Sequence, residues 1–159
     1  MNKEALIGKV VLKLEKEIAE LEEGATSAHA ASVDAPGAMQ SHSDTSKFQN
    51  KVSEENLISM LDEKKNRCDA IKTMEIPSEI SEIKIGACIL AEDGENEKRY
   101  ILLPGGAGIE VWDDETLDSY MTITPEVPIG KALMGKKEGT KTVFKVGSKE
   151  KKLLIKKVW

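Results

Sequence analysis

Residues 123–139 read ITPEVPIGKALMGKKEG, and the division of this stretch into strand, turn and helix decides the architecture. Just before it, SYMTIT (119–124) alternates polar and apolar side chains, the period-2 pattern of a strand with one buried face. EVPIGKALMG (126–135) predicts a short helix. Pro128 suits a first turn, where a backbone N–H would lack a partner anyway, and Gly135 closes the element. Downstream, TKTVFKVG (140–147) and KEKKLLIKKVW (149–159) predict a hairpin around Gly147–Ser148.

Upstream lie three more apolar runs: IKIGACIL (83–90), KRYILL (98–103) and IEVW (109–112). EDGENE (92–97) and PGGAG (104–108) punctuate them as turns. The expectation for residues 81–159 is therefore an α+β domain, a mostly antiparallel sheet of five or six strands with one short helix.

Before Pro77 the period changes. Ile7, Val11, Leu14, Ile18 and Leu21 step by four and three, the a/d seam of a coiled coil, with Glu15, Glu17, Glu20, Glu22 and Glu23 off the seam. Leu57, Leu61, Lys64, Cys68 and Ile71 repeat the step, widened by Ile58 and Met74. Between the two runs lies DAPGAMQSHSDTS (34–46), with Pro36 and Gly37 to break a helix. The pattern predicts an antiparallel coiled-coil hairpin over residues 1–75, about 45 Å long, with its tip near 34–46. The seam thins from bulky to small side chains towards that tip, so the hairpin reads as a probe rather than a globule, and the chain as a monomer. Ile76–Pro77 ends the helical region, because the residue before a proline is pushed out of the helical basin.

The 159 residues carry a net charge of −5, which argues against broad nucleic-acid binding. That total conceals an asymmetry: residues 79–126 hold twelve acids and three bases, whereas residues 131–159 hold ten lysines and two acids. A basic strip of this kind suits a phosphate or an acidic partner surface, or else is a solvated face balanced by the acidic half. Cys68 and Cys88 lack motif spacing and are expected as reduced, buried thiols. The charged MNKEALIGKVVLKLEKE is unsuited to an export signal or membrane span, so a cytoplasmic location is expected.

The residues contain no catalytic constellation. LPGGAG lacks the GK[ST] and following helix of a phosphate loop. His29 and His42 both fall near the hairpin tip, with Asp34 and Asp44, and without metal-ligand spacing they read as exposed tip residues. No nucleophile elbow is present, and no histidine lies within the β domain to act as a base. No stand-alone enzyme activity and no cofactor of its own are expected.

Residues 123–139 resemble the C-terminal domain of the Gre transcript cleavage factors, GreA and GreB, through Pro128, Ile129, Ala132, Leu133, Gly135, Lys136 and Gly139. The resemblance extends over residues 81–159. It implies an FKBP-like domain preceded by an antiparallel coiled coil, with bacterial RNA polymerase as partner. Docking is then expected through Glu126, Pro128, Ile129, Leu133 and Met134, with the coiled coil entering the secondary channel. In such factors paired tip acids help hold a second catalytic Mg²⁺ inside the polymerase. Here SDTSKFQNK (43–51) keeps Asp44 and Ser46 but places Lys47 where the second acid falls, and Asp34 has no acidic neighbour. Asp44 is thus the candidate for that Mg²⁺ and Asp34 the alternative tip acid, each a lone carboxylate and so a poor ligand set. Modulation of elongation is expected rather than strong stimulation of cleavage, with no sequence-specific contact to nucleic acid.

Two other readings compete. One is an FKBP-like binding or chaperone module, lacking isomerase activity because its only aromatics are Tyr100, Trp112, Tyr120, Phe144 and Trp159. The other is a Rnk-like structural partner protein whose hairpin is a dimerisation stalk.

Overall fold

The computed structural model describes the backbone of residues 2–33, 43–78, 80–94 and 96–159, and the side chains of these apart from 28–33, 43–51, 53 and 54. Helices α1 (Lys3–Val33) and α2 (Ser43–Thr73) are followed by strands β1 (Cys88–Asp93), β2 (Asn96–Leu102), β3 (Glu110–Trp112) and β4 (Ser119–Ile123). The short helix α3 (Pro128–Leu133) and strands β5 (Lys141–Val146) and β6 (Lys149–Val158) complete the chain. Two compact units result: residues 1–13 together with 67–159, and residues 14–66.

Within 14–66, the seam residues Leu14, Ile18 and Leu21 are buried or half-buried, as are Leu57, Leu61 and Lys64 of α2. Ile58, which the sequence adds to the stripe, is exposed. Lys64 occupies an apolar seam position, where a lone ammonium would be costly. Glu17 of α1 takes it as an ion pair, and Lys65 pairs with Glu22 at 2.7 Å.

In the other unit, Asn2 caps the start of α1, its side-chain oxygen accepting the Ala5 N–H at 3.1 Å. Leu6, Ile7 and Val10 of the first turns are buried, as are Cys68 and Ile71 near the end of α2. Leu6 and Val10 lie off the seam, and their burial reflects membership of the sheet's compact unit.

The sheet has six strands in the order β3-β4-β2-β1-β6-β5. Four of its pairings are antiparallel, but β2 and β4 run parallel, with Tyr100 beside Met121 and Leu102 beside Ile123. The sheet is therefore mixed. After β2 the chain turns back through the glycine loop, skips one place to lay β3 at the edge, and fills the gap with β4. Tyr100, Ile101 and Leu102 are consecutively buried, as expected of a strand covered on both faces. On one face Ile83, Ile89, Tyr100, Leu102, Ile123, Leu133, Leu153 and Ile155 form the main core.

The run 83–90 is strand only from Cys88. Ala87 N–H closes a turn onto Lys84 O at 3.0 Å, and Gly86 has φ 86°. A Cβ on Gly86 would stand 2.7 Å from Cδ of Pro77, so this turn requires glycine on both counts.

Edge strand β3 is covered by α1. Lys13 Nζ donates to Glu110 O at 2.5 Å, and Lys9 Nζ donates to Trp112 O at 2.7 Å. The match is metric: four helical residues rise about 6 Å and two strand residues about 6.7 Å. Two lysines one turn apart thus meet two successive outward carbonyls of the strand.

Cys68 and Cys88 are buried and take part in no disulfide. Burial pushes the Cys88 thiol up from 9.0 to about 12, with Lys3 opposing and Asp113 adding. Tyr100 and Tyr120 are pushed up to about 12 as well, chiefly by burial. Below pH 9 the thiol is protonated in both folded and unfolded chains, and its contribution to stability is fully present. As the pH rises from 9 towards 12 the unfolded chain ionises first, so stability falls by about 1.4 kcal/mol per pH unit for one such group. Urea midpoints measured across this range should decline, and Cys88→Ala should flatten the earliest part of the decline.

Candidate docking surface

The turn between β4 and α3 is built from the bottom up by two prolines and a glycine. Pro125 sets the backbone at the second turn position, and Val127 N–H donates to Thr124 O at 3.2 Å. Val127 is held extended (φ −74°, ψ 151°), the conformation forced on a residue before proline, and Pro128 opens α3. Met134 N–H then bonds Gly130 O at 2.9 Å, and Gly135 leaves the helix with φ 70°.

Gly130 is the keystone. A Cβ at this position would lie 1.9 Å from Thr124 O, so the turn can close over the helix only because the side chain is absent. Two further ties hold the unit in place. Thr142 Oγ1 donates to Ala132 O at 2.9 Å. Residue 83 of the connector bonds the far end, with Gly135 N–H to Ile83 O at 2.8 Å and Ile83 N–H to Lys136 O at 2.7 Å.

This geometry sorts the candidate docking residues. Glu126 and Pro128 are exposed, as is Lys131, while Ile129 and Met134 are half-buried against the core. Leu133 is 0% exposed, so it holds the helix down and presents no side-chain surface. The Glu126 carboxyl is lowered from its ordinary value first by a hydrogen bond from the Thr124 side chain, then by its own backbone, with Arg67 and Lys131 adding smaller attractions. The surface is thus a rigid turn carrying a persistent negative charge beside an exposed proline ring.

Among the tip candidates, Asp34 lies outside the described residues, as does His42. Asp44 and Ser46 fall in the first turn of α2, and their side chains are outside the described set. Among the described residues, no group of three or more His, Cys, Asp or Glu is placed to hold a metal ion.

The glycine loop 104–108 is structural. Gly108 N–H donates to Thr122 O at 2.9 Å and Ile109 N–H to Thr122 Oγ1 at 2.8 Å, while Thr122 Oγ1 in turn donates to Gly106 O. These two amides are thus taken up by Thr122 of β4. A Cβ on Gly105 would meet Cβ of Arg67 at 2.8 Å, so this glycine lets the end of α2 approach the loop. Glu138 has a comparable service that sequence reading missed: its carboxylate accepts the Val158 N–H at 2.8 Å, where β6 has run past the start of β5. The Glu138–Gly139 pair was the only signal for it.

No protein-family model and no curated protein matches the sequence. Among solved structures, the chain is similar to Gfh1 of Thermus aquaticus at 17% identity and a TM-score of 0.39, over 92% of this chain and 91% of that one. It is similar to GreA factor homolog 1 (Gfh1) of Thermus thermophilus at 18% identity and 0.38, over 96% and 94%. It is also similar to a prokaryotic transcription elongation factor GreA/GreB from Nitrosomonas europaea at 17% identity and 0.36, over 60% and 78%. At these identities and scores each is a resemblance and nothing more.

Proposed function

We propose that the chain is a non-enzymatic, Gre-like regulator of transcription elongation, acting on bacterial RNA polymerase. In this reading the turn and helix from Glu126 to Met134 dock on the polymerase, and α1 and α2 pair as an antiparallel hairpin that enters the secondary channel. The observation that carries the reading is the agreement at residues 124–139. Of the positions that resemble the Gre pattern, Leu133 holds a surface-presented unit to the core, Pro128 is exposed on it and Gly135 ends its helix, while Gly130 and Glu126, outside that pattern, complete the same unit. Lys47 stands where a second tip acid would be needed, so modulation of pausing or competition with other channel binders fits better than RNA cleavage.

A tagged chain should retain core RNA polymerase at modest salt. Glu126→Lys with Pro128→Ala alters only exposed side chains and should reduce retention about tenfold, the scale of a central interface residue. The melt should stay cooperative in that variant, with only a small loss of stability for the hydrogen bond from Thr124 and the first-turn proline. Ile129→Asp is a poorer probe, because Ile129 packs against the core and its loss would perturb folding. Failure of the parent chain to retain any polymerase would overturn the reading.

A further inference from the structure

The two edges of the sheet are treated differently. Edge strand β3 has its Glu110 and Trp112 carbonyls occupied by Lys13 and Lys9. The opposite edge, β5, has no such cover among the described residues. Its open groups follow from the ladder. Ile155 N–H donates to Thr140 O at 3.0 Å, which places residue 140 in a hydrogen-bonded position against β6. Hydrogen-bonded positions then recur at Thr142, Phe144 and Val146, the last closing the two-residue turn at Gly147–Ser148. Lys141, Val143 and Lys145 therefore turn their N–H and C=O groups outward, away from β6.

These same three residues place their side chains on one face of the sheet, opposite the face of Thr142 and Phe144, and all three are exposed. Val143 is 48% exposed. It borders a shallow recess of about 290 Å³, together with Lys141, Lys152, Leu154 and Glu92, whose carboxylate is paired with Lys156. Lys151 lies 3.7 Å from Asp93 and Lys156 lies 2.6 Å from Glu92, whereas Lys141, Lys145 and Lys152 make no ion pair among the described residues, with Glu150 opposite Lys145 in the ladder as the nearest acid in register.

We propose that β5 is a strand-addition site for an extended acidic polypeptide segment, alternating acidic, apolar and acidic side chains on one face. The acids would face Lys141 and Lys145, the apolar side chain would cover Val143 and enter the recess, and the backbone would complete the open ladder. A second copy of this chain is the wrong occupant. Antiparallel self-pairing about Val143 sets Lys141 opposite Lys145 twice, and parallel pairing in register sets each lysine against itself. The inference stands on the β5 edge alone and is independent of the polymerase reading.

The test uses the full ¹⁵N-labelled chain and the blocked peptide Thr-Glu-Thr-Val-Thr-Glu-Thr. On titration, the amides of Lys141, Val143 and Lys145 should shift and become protected from hydrogen exchange. Val143→Pro deletes an outward N–H without removing a bond to β6, a placement an edge strand tolerates. It should weaken peptide binding about tenfold. The double variant Lys141→Glu, Lys145→Glu should reverse the preference towards a peptide with lysine in place of glutamate, and it keeps the test open if the proline variant fails to fold. The proposal is overturned by a lack of saturable shifts in the millimolar range, or by binding that the folded Val143→Pro variant leaves unchanged. It is equally overturned if a single-stranded oligothymidylate binds this strip more tightly than the peptide without protecting the three amides.

Discussion

Replacing Gly130 with alanine is expected to destabilise the protein by about 3 kcal/mol, lowering the melting temperature by about 6–12 °C for a chain of this size. The sign is informative, because glycine to alanine within a helix ordinarily stabilises by about 1 kcal/mol. Here the added methyl would sit 1.9 Å from Thr124 O and 2.8 Å from the Thr124 carbonyl carbon, both backbone atoms with no rotamer to change. Either the Thr124–Val127 turn opens and loses its 3.2 Å hydrogen bond, or α3 lifts away and uncovers Leu133. Chemical denaturation measures the loss directly. An alanine variant as stable as the parent would mean that the turn does not close over the helix as described.

Leu133→Ala should cost about 2–5 kcal/mol, the range for removing a fully buried leucine whose surroundings cannot collapse. Leu133 is 0% exposed, and it is the fully buried side chain that α3 contributes to a core of Ile83, Leu102, Ile123 and Leu153. Leu12, at 65% exposed, supplies the contrast: its replacement by alanine should change stability by no more than about 0.5 kcal/mol. The pair also separates two ways of losing polymerase retention. Leu133→Ala should lose it together with the cooperative melt, whereas Glu126→Lys with Pro128→Ala should lose it with the melt still cooperative. If Leu133→Ala melts like the parent, α3 is not anchored through that side chain.

Much of the strand order was legible because alternation and glycine punctuation are local. SYMTIT, KRYILL and the final hairpin each became strands within one or two residues of their expected bounds. IKIGACIL misled because Ile83 and Ala87 are buried without being strand, and Gly86, the residue that breaks the run, is ambiguous in a strand-like pattern. The parallel β2–β4 pairing had no sequence signal, since it depends on which gap in the sheet β4 fills. On the candidate surface, Pro128 and Gly135 announced the helix. The reason for Gly130 was hidden, because its contact is with a carbonyl six residues away rather than with any patterned side chain.

Local chemistry in the sequence alone determined the period of each element, the places where glycine and proline end them, and the unequal distribution of acids and lysines. Those properties arise within a few residues of one chain segment. Only the tertiary structure decided that Lys9 and Lys13 cover one sheet edge while β5 stays open, that Leu133 points inward while Glu126 and Pro128 face solvent, and that Glu138 satisfies a distant amide. Each of these pairs groups from different elements, and their distances are set by how whole helices and strands pack, a quantity that no local pattern encodes.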